Sequence, residues 1–536
     1  MPSIFETDVA LDKLATTAIT RTKELMEQSD KLRDRREKAN RKRVARLFKD
    51  PKAIEATITL TDEVMRISSV KSSSRIFRRA AKKASIKGFG PLNGIGLHAI
   101  GVISNVLPTP VVAAVHQRVR ALSKDLILAS EAEKLSKHLG KRTEKGISLN
   151  INVLGEAVLG DHEAELRFQS ILEMMRRPEV NYISVKLSSI VAQLIIIDVE
   201  GSINRVSEKM RILYREAIQH GVFVNLDMEE YRDLPMTVAA FMRVLDESEF
   251  ESMKAGIVLQ AYLPESHQFF AQLVDWSKAR YARSGGSIKV RLVKGANLAM
   301  ERAEAELHGW SSAPYRSKSD VDASYVRLVD AALRPEHSKA VRIGIASHNL
   351  FHMTWALEVA KSRGVVDQID IEMLEGMANA EALAVTRAGQ PVLLYAPVTR
   401  KDDFAAAVAY LVRRLDENTS DENYLKAAFE ISKNPAKFKE QEERFLKSIA
   451  ERHTITTESL RHIEHAMTTG TTFENERNAD PTEPHFIDAV SKAIKKVRAI
   501  KDQEIPLVIN GKEIFTKEQE EGTDPSDNGK VWYHYS

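Results

Sequence analysis

The strongest constraint in this sequence is an alternation that begins abruptly at Gly146. Eight short β-rich runs follow, and amphipathic helical stretches separate them. In order the runs are ISLNINVLG, YISVKLSS, VFVNLDM, AGIVLQAYL, SIKVRLVKGA, VRIGIASHN, IDIEMLEGM and PVLLYAPV. Between them lie stretches such as HEAELRFQSILEMMRR and SINRVSEKMRILYREAIQHG, whose apolar residues recur at helical spacing. Strands joined through helices of this length pair in parallel through right-handed crossovers, and eight such units predict a closed (β/α)8 barrel over residues 146–425. An open doubly wound sheet ranks second, because no G-x-G-x-x-G turn follows the first run and because the count reaches eight.

The flanks carry a different pattern. Residues 1–145 are rich in Ala, Leu, Lys, Glu and Arg at helical spacing, which predicts an N-terminal helical arm. Residues 426–505 predict a charged C-terminal helical extension that links to residues 506–536, where PLVINGKEIF reads as a strand and turn of a further unit. Basic residues dominate between Lys31 and Lys49, and the run is read as one solvated helix face. The most apolar stretch, Gly94 to Val115, is interrupted by His98, Asn105, Pro108 and Pro110, so it falls short of the roughly twenty apolar residues a membrane span needs and is expected as buried helix and loop.

Composition narrows the function classes. Lys and Arg number 78 against 75 Asp and Glu, so the near-neutral chain gives no reason to expect a nucleic-acid partner. There is no cysteine, which excludes disulfides, thiolate metal sites and thiol nucleophiles. The opening MPSIFETDVA lacks the features of a secretory signal, and a cytoplasmic location is the expectation.

Active sites of β/α barrels form at the C-terminal ends of the strands. Polar residues cluster there in this chain: Lys186 on the second run, Asp227 on the third, Gln260 on the fourth, Arg291 and Lys294 on the fifth, Ser347, His348 and Asn349 on the sixth, Glu375 on the seventh and Tyr395 on the eighth. Mostly cationic, with donors interspersed, the set suits an anionic ligand carrying phosphate, or a reducible ring whose negative charge must be stabilised. Gly295 and Ala296 leave room for close backbone approach. His348 has no second His or carboxylate at ligand spacing, so it reads as a stacking or hydrogen-bonding residue and no metal site is expected. Lys289 shares the side-chain face of Arg291, an unexplained second cation. On the eighth helix Phe404, Val408, Leu411 and Leu415 form an apolar stripe beside Arg413, Arg414 and Glu417; over the barrel mouth, the two guanidiniums would recognise a small carboxylate.

At RLVKGA, LYAPV and YLVRRLDEN the chain resembles the flavin-dependent proline dehydrogenase family, over about Gly146 to Asn418. The arm and tail are further similar to proline utilization A proteins, in which this domain precedes an aldehyde dehydrogenase domain. IPLVINGKEI resembles the first strand of that second domain, represented here by residues 506–536 without the cysteine its catalysis would need. The resemblance implies FAD-dependent oxidation of L-proline to pyrroline-5-carboxylate, the first step of proline catabolism to glutamate. Electrons would pass to a quinone, with peripheral contact at the inner membrane face, and a homo-oligomer is compatible with it. It implies catalytic roles for Arg291, Asp227 and Lys186. Asp227, Met228, Val258, Gln260, Arg291, Lys294, Gly295, Ala296, Lys318, Ser347, His348 and Asn349 would contact the cofactor, Lys318 at its diphosphate. Lys186, Leu374, Tyr395, Arg413, Arg414 and Glu417 would hold proline. Asn297 stands where many family members have Tyr, which puts one wall of the substrate pocket in question.

Overall fold

The computed structural model describes residues 4–5, 8–155, 158–228, 230–400, 404, 407–408, 410–412, 414, 423–461, 478–500, 503–527 and 529–536. All eight expected runs form strands: β1 (Ile147–Val153), β2 (Tyr182–Lys186), β3 (Phe223–Asp227), β4 (Ala255–Gln260), β5 (Ile288–Val293), β6 (Val341–Ala346), β7 (Ile369–Leu374) and β8 (Val392–Thr399). Each pairs in parallel with the next. β8 then closes onto β1, in register from Ile147 opposite Val392 to Val153 opposite Val398. The sheet is therefore a complete ring without free edges, and the architecture is a (β/α)8 barrel.

Period-two alternation decides what each face of that ring meets. Ile183, Val185, Val224, Leu226, Ile257, Leu259, Val290, Leu292, Ile343 and Ile345 are buried, and they belong to the main hydrophobic core shared with the surrounding helices. Burying each such side chain stabilises the fold by about 1.5–3 kcal/mol. The alternate residues point inward, and many are polar: Asn150, Asn152, Ser184, Asn225, Asp227, Arg291, Glu372 and Tyr395 hydrogen-bond to one another across the barrel. The interior of this barrel is thus a hydrogen-bonded network, and that network sets up the site.

The N-terminal helices pack outside the ring. Helix Leu14–Leu32 lies against the barrel helices Leu350–Ser362 and Asn379–Arg387, and the Thr22 and Thr354 hydroxyls meet at 2.8 Å. Near the barrel mouth Leu128–Ala129 adds a two-residue parallel strand beside Val398 and Thr399 of β8.

Two expectations need correction. Helices Pro91–Ile103 and Pro108–Ser123 do form over the apolar stretch, but Ile95, Val102, Val106 and Leu107 are 52–79% exposed. Hydrophobicity alone does not bury a helix when its partners cover only one face. The basic run is also not wholly solvated. Arg33 is buried and Arg41 partly buried, both paired with Glu381 on a barrel helix, the latter at 3.2 Å. Arg33 ends helix Leu14–Leu32 in an extended conformation and Arg41 lies in the next helix, Arg35–Phe48, so the turn at Arg33–Asp34 brings both to Glu381, while Arg35, Arg36 and Lys38 remain exposed.

At the other end, helix Pro435–Glu451 packs on the barrel helix Lys318–Ala332. The buried Arg452 reaches Asp12 at 2.6 Å, tying this extension to the N-terminal segment. Strand Leu507–Ile509 pairs antiparallel with Lys512–Ile514. The turn between them uses Asn510 and Gly511 at φ 47° and 76°, the left-handed pair that a two-residue hairpin demands. Among the described residues, no helix is long and apolar enough to cross a membrane.

Candidate active site

Arg291 lies at the centre of the barrel. β5 carries it inward two residues from its C-terminal end, where it is almost wholly buried. Its Nε donates to Glu372 Oε2 at 2.6 Å, one terminal nitrogen donates to Asp227 Oδ1 at 2.8 Å, and the other to the Ser184 hydroxyl at 3.2 Å. Its guanidinium also sits 5.4 Å from the centre of the Tyr395 ring. Burial works against its charge, but Glu372 and Asp227 outweigh that penalty and hold its pKa above the ordinary value. Arg291 is therefore a permanent, immobilised cation.

Asp227 joins β3 to three other strands. Its second oxygen accepts from the Tyr395 hydroxyl at 2.8 Å and from Asn152 at 3.4 Å. Burial, then the adjacent Asp227 carboxylate, raises the Tyr395 pKa well above normal, so its hydroxyl stays a donor. Lys186 stands opposite Asp227 in the β2–β3 register, and Leu374 opposite Tyr395 between β7 and β8. Lys186, Asp227 and Leu374 thus end their strands, whereas Tyr395 lies midway along β8.

A second cluster lies just beyond β5. Lys294 Nζ donates to Asp322 at 2.6 Å and stands 3.0 Å from His352 Nδ1, while Lys318 pairs with the same Asp322 carboxylate. Burial pushes the Lys294 pKa down to about 7, with Asp322 opposing the shift. Two lysines share one carboxylate, so with both protonated the cluster carries a surplus positive charge. Gly295, at φ +127°, turns the chain there, and a Cβ on it would stand 2.4 Å from the Tyr262 ring. Ala296 and the buried Asn297 complete the turn.

The loop after β6 supplies a free donor. Asn349 Oδ1 caps helix Leu350–Ser362 by accepting from the Phe351 amide at 3.0 Å, and the Ser347 hydroxyl accepts from the Asn349 amide at 3.0 Å. His348 Nε2 accepts from the Leu374 amide at 3.1 Å, and burial pushes its pKa down to about 4. A neutral imidazole whose Nε2 accepts must carry its proton on Nδ1. That Nδ1 is buried and has no partner among the described residues. His348 also lines a small cleft with Met26, Arg33, Arg41, Tyr424 and Phe429. On β4, Val258 lies opposite Arg291 in the register, and the Gln260 amide donates to the Met228 carbonyl at 3.3 Å.

One sequence-based placement changes. Glu375 does not join the mouth: it follows Leu374, faces the other way, and is buried against Arg142 and His138 of helix Ala132–Thr143. Arg413 and Glu417 lie outside the described residues, as does Leu415 of the expected stripe. Arg414 is described, with its guanidinium 5.2 Å from the Tyr410 ring centre, and Phe404, Val408 and Leu411 are buried as the stripe requires. Sequence reasoning also missed Glu372, Ser184, Asn152, Asn225 and Asp322. The first four share the inward alternation of residues it did select, and Asp322 follows Lys318 by one helical turn.

A closed parallel barrel whose C-terminal mouth gathers a fixed cation, a carboxylate, a tyrosine and a cationic cluster defines a small-molecule barrel enzyme. A family model for proline dehydrogenase matches residues 135–427, which span the barrel, and the chain belongs to that family. It is 25% identical over 282 residues to proline dehydrogenase 2 of Bacillus subtilis, covering 52% of this chain and 80% of that one. It is 25% identical over 303 residues to the bifunctional protein PutA of Escherichia coli, covering 53% of this chain and 22% of that one. The structure of proline utilization A from Corynebacterium freiburgense superposes with a TM-score of 0.61 at 44% identity, covering 73% of this chain and 38% of that one. The chain thus spans about a fifth of the length of its curated PutA relatives.

Proposed function

We propose that this chain oxidises L-proline to pyrroline-5-carboxylate with FAD as the electron acceptor, the first step of proline catabolism to glutamate. The observation that carries this reading is the family match over a barrel whose mouth holds Arg291, Asp227 and Tyr395 in one hydrogen-bonded unit.

The residues fit the cofactor. Lys294 and Lys318 carry the surplus positive charge a diphosphate needs, and the His348 Nδ1–H is a buried donor without an acceptor among the described residues. Gln260, Met228 and Val258 would line the ring from β3 and β4, and Ser347, Asn349 and Ala296 would shape the loops around it. Bound there, FAD would supply a two-electron acceptor for the hydride on proline carbon five, while the amine gives up its proton.

The protein's share is position and field. Arg291 places a fixed positive charge where negative charge would develop. Arg413 and Arg414 would grip the proline carboxylate, Glu417 and Lys186 would complete the charged cage, and Leu374 and Tyr395 would hold the pyrrolidine ring. We assign the role of acceptor for the stored electrons to a quinone, with peripheral contact at the cytoplasmic face of the inner membrane. Residues 1–145, 146–425, 426–505 and 506–536 would serve as arm, catalytic barrel, linker and start of an aldehyde dehydrogenase domain, and homo-oligomers are compatible with this arrangement.

The purified protein is expected to show a flavin absorption spectrum that bleaches on addition of L-proline. A colourless protein trapped by borohydride with a keto substrate would replace this reading with a Schiff-base lyase built on Lys294 or Lys186. A flavin that stays oxidised in proline would remove the substrate.

A further inference from the structure

Six charged side chains of alternating sign run through the barrel from its mouth toward its base: Asp227, Arg291, Glu372, Lys289, Asp370 and Arg342. Successive contacts are 2.8 Å from Asp227 to Arg291 and 2.6 Å from Arg291 to Glu372. They continue at 2.6 Å from Glu372 to Lys289, 2.8 Å from Lys289 to Asp370, and 2.8 Å from Asp370 to Arg342 Nε. Three carboxylates and three cations sum to zero. The middle pair is the most enclosed, with the side chains of Lys289 and Glu372 each 3% exposed, whereas Arg342 at the base reaches 39%.

Space for this chain of charges is provided deliberately by sequence. β6 carries Gly344 inward at that level, and a Cβ there would stand 2.3 Å from Glu372 Oε1 and 3.1 Å from Lys289 Cε. Tyr182 on β2 covers the ammonium from the opposite wall, with its ring centre 5.0 Å from Lys289 Nζ. Packing could have been met by apolar side chains, since a buried ion pair gives little net stability over a hydrophobic replacement. What the pair alone supplies is a counter-charge for Arg291 that is itself neutralised.

We propose that Lys289 and Glu372 are positioning residues that set how much of the Arg291 charge reaches the cofactor, and so tune its reduction potential. The inference rests on the reading that a flavin lies against Arg291. Glu372 grips Arg291 Nε and fixes the plane of the guanidinium. Its negative charge would lower the potential of a ring above Arg291, and Lys289 cancels part of that effect. Removing one member leaves a net charge in a region of low dielectric, where its influence is weakly screened. Removing both restores neutrality.

The test is potentiometric titration of the bound flavin in the intact chain. E372Q should stabilise the reduced flavin at least tenfold relative to the oxidised form, an upward shift of about 30 mV for a two-electron couple. K289M should shift it in the opposite sense, and the double variant K289M/E372Q should return within threefold of the unaltered protein. Opposite shifts that cancel cannot come from a merely structural defect, whose effects would accumulate. Should either single variant fail to fold, recovery of folding and of the original potential in the double variant still supports the pairing. An unchanged potential in E372Q, or a double variant that is unfolded or shifted more than threefold, overturns the inference. If the unaltered protein binds no flavin, the functional reading fails instead, a distinct result visible before any variant is made.

Discussion

The Tyr395 hydroxyl donates a 2.8 Å hydrogen bond to Asp227 across the barrel mouth, from β8 to β3, while the other oxygen of the same carboxylate holds Arg291. Asp227 is thus fixed from two sides, and its orientation depends on a residue 168 positions away in sequence. Removing the hydroxyl in Y395F leaves that oxygen only the longer contact from Asn152. A hydrogen bond to a charged group is worth about 1.5–3 kcal/mol, so kcat/KM for proline should fall roughly ten- to hundredfold. Steady-state kinetics at unchanged flavin content check this, and an unaltered kcat/KM would show that Asp227 needs no such support.

The Lys294 cluster predicts how cofactor affinity depends on pH. Lys294 loses its proton near pH 7 in the protein without ligand, well below its ordinary 10.5, because burial disfavours the ammonium. A diphosphate favours the charged form, so binding above pH 7 must take up a proton. The apparent Kd for FAD should rise by up to about tenfold per pH unit from pH 7 to 9. In K294M binding should be weaker and nearly flat over that range. Fluorescence titration of apoprotein measures both, and a slope that survives in K294M would assign the linkage to another group.

Glu301 predicts that stability, too, falls as pH rises. It lies in the first turn of helix Leu298–His308 after β5, is 3% exposed, and accepts from the Tyr231 amide at 2.7 Å. Burial raises its pKa from 4.5 to about 7, with Glu304 and Glu230 adding to the shift. The folded state therefore holds this proton more tightly than the unfolded chain, which ionises near 4.5. Stability from this group is present below that value and is lost as pH rises toward 7, by roughly 2–3 kcal/mol. Thermal unfolding at pH 5 and pH 8 should show that loss in the unaltered protein and a smaller one in E301Q.

Much of the barrel was legible because its two periodicities are local. Each strand announces itself within a few residues, and so does each helix; the alternation of the two implies the ring. The strand-end rule found Asp227, Arg291 and Tyr395, yet it passed over Glu372, which lies as far from its strand end as Arg291 does and carries Arg291 on the other side. In the run IDIEMLEGM the later carboxylate, Glu375, drew the selection instead. Lys289 was visible as an unexplained inward cation, and its partners could be named only once β7 was known to lie two strands from β5. Glu375 misled for a related reason. Side chains alternate, so a shift of one residue from Leu374 turns a candidate ligand-binding group into an anchor for Arg142 of the arm.

The arm itself gives the last prediction. Glu381 is the shared counter-charge of Arg33 and Arg41, and the side chains of Arg33 and Glu381 are 5% and 10% exposed. Asp30 also pairs with Arg33 from one helical turn back, while Arg41 also feels the Glu37 carboxylate and bonds to the Ala428 carbonyl. Replacing the carboxylate in E381A would leave the buried Arg33 and the partly buried Arg41 facing a vacated site next to His348, and breaking a buried pair costs about 3–5 kcal/mol. Because both arginines sit on the arm and Glu381 sits on the barrel, the loss should appear first as detachment of residues 33–48 from the barrel. Trypsin should then cut at Arg35 or Arg36 faster than in the unaltered protein, ahead of any cleavage within the strands. The variant E381Q, which keeps the size and one acceptor, should fall between the two. Equal cleavage rates in all three would mean that the arm is held by its apolar contacts, with the ion pairs contributing nothing to its attachment.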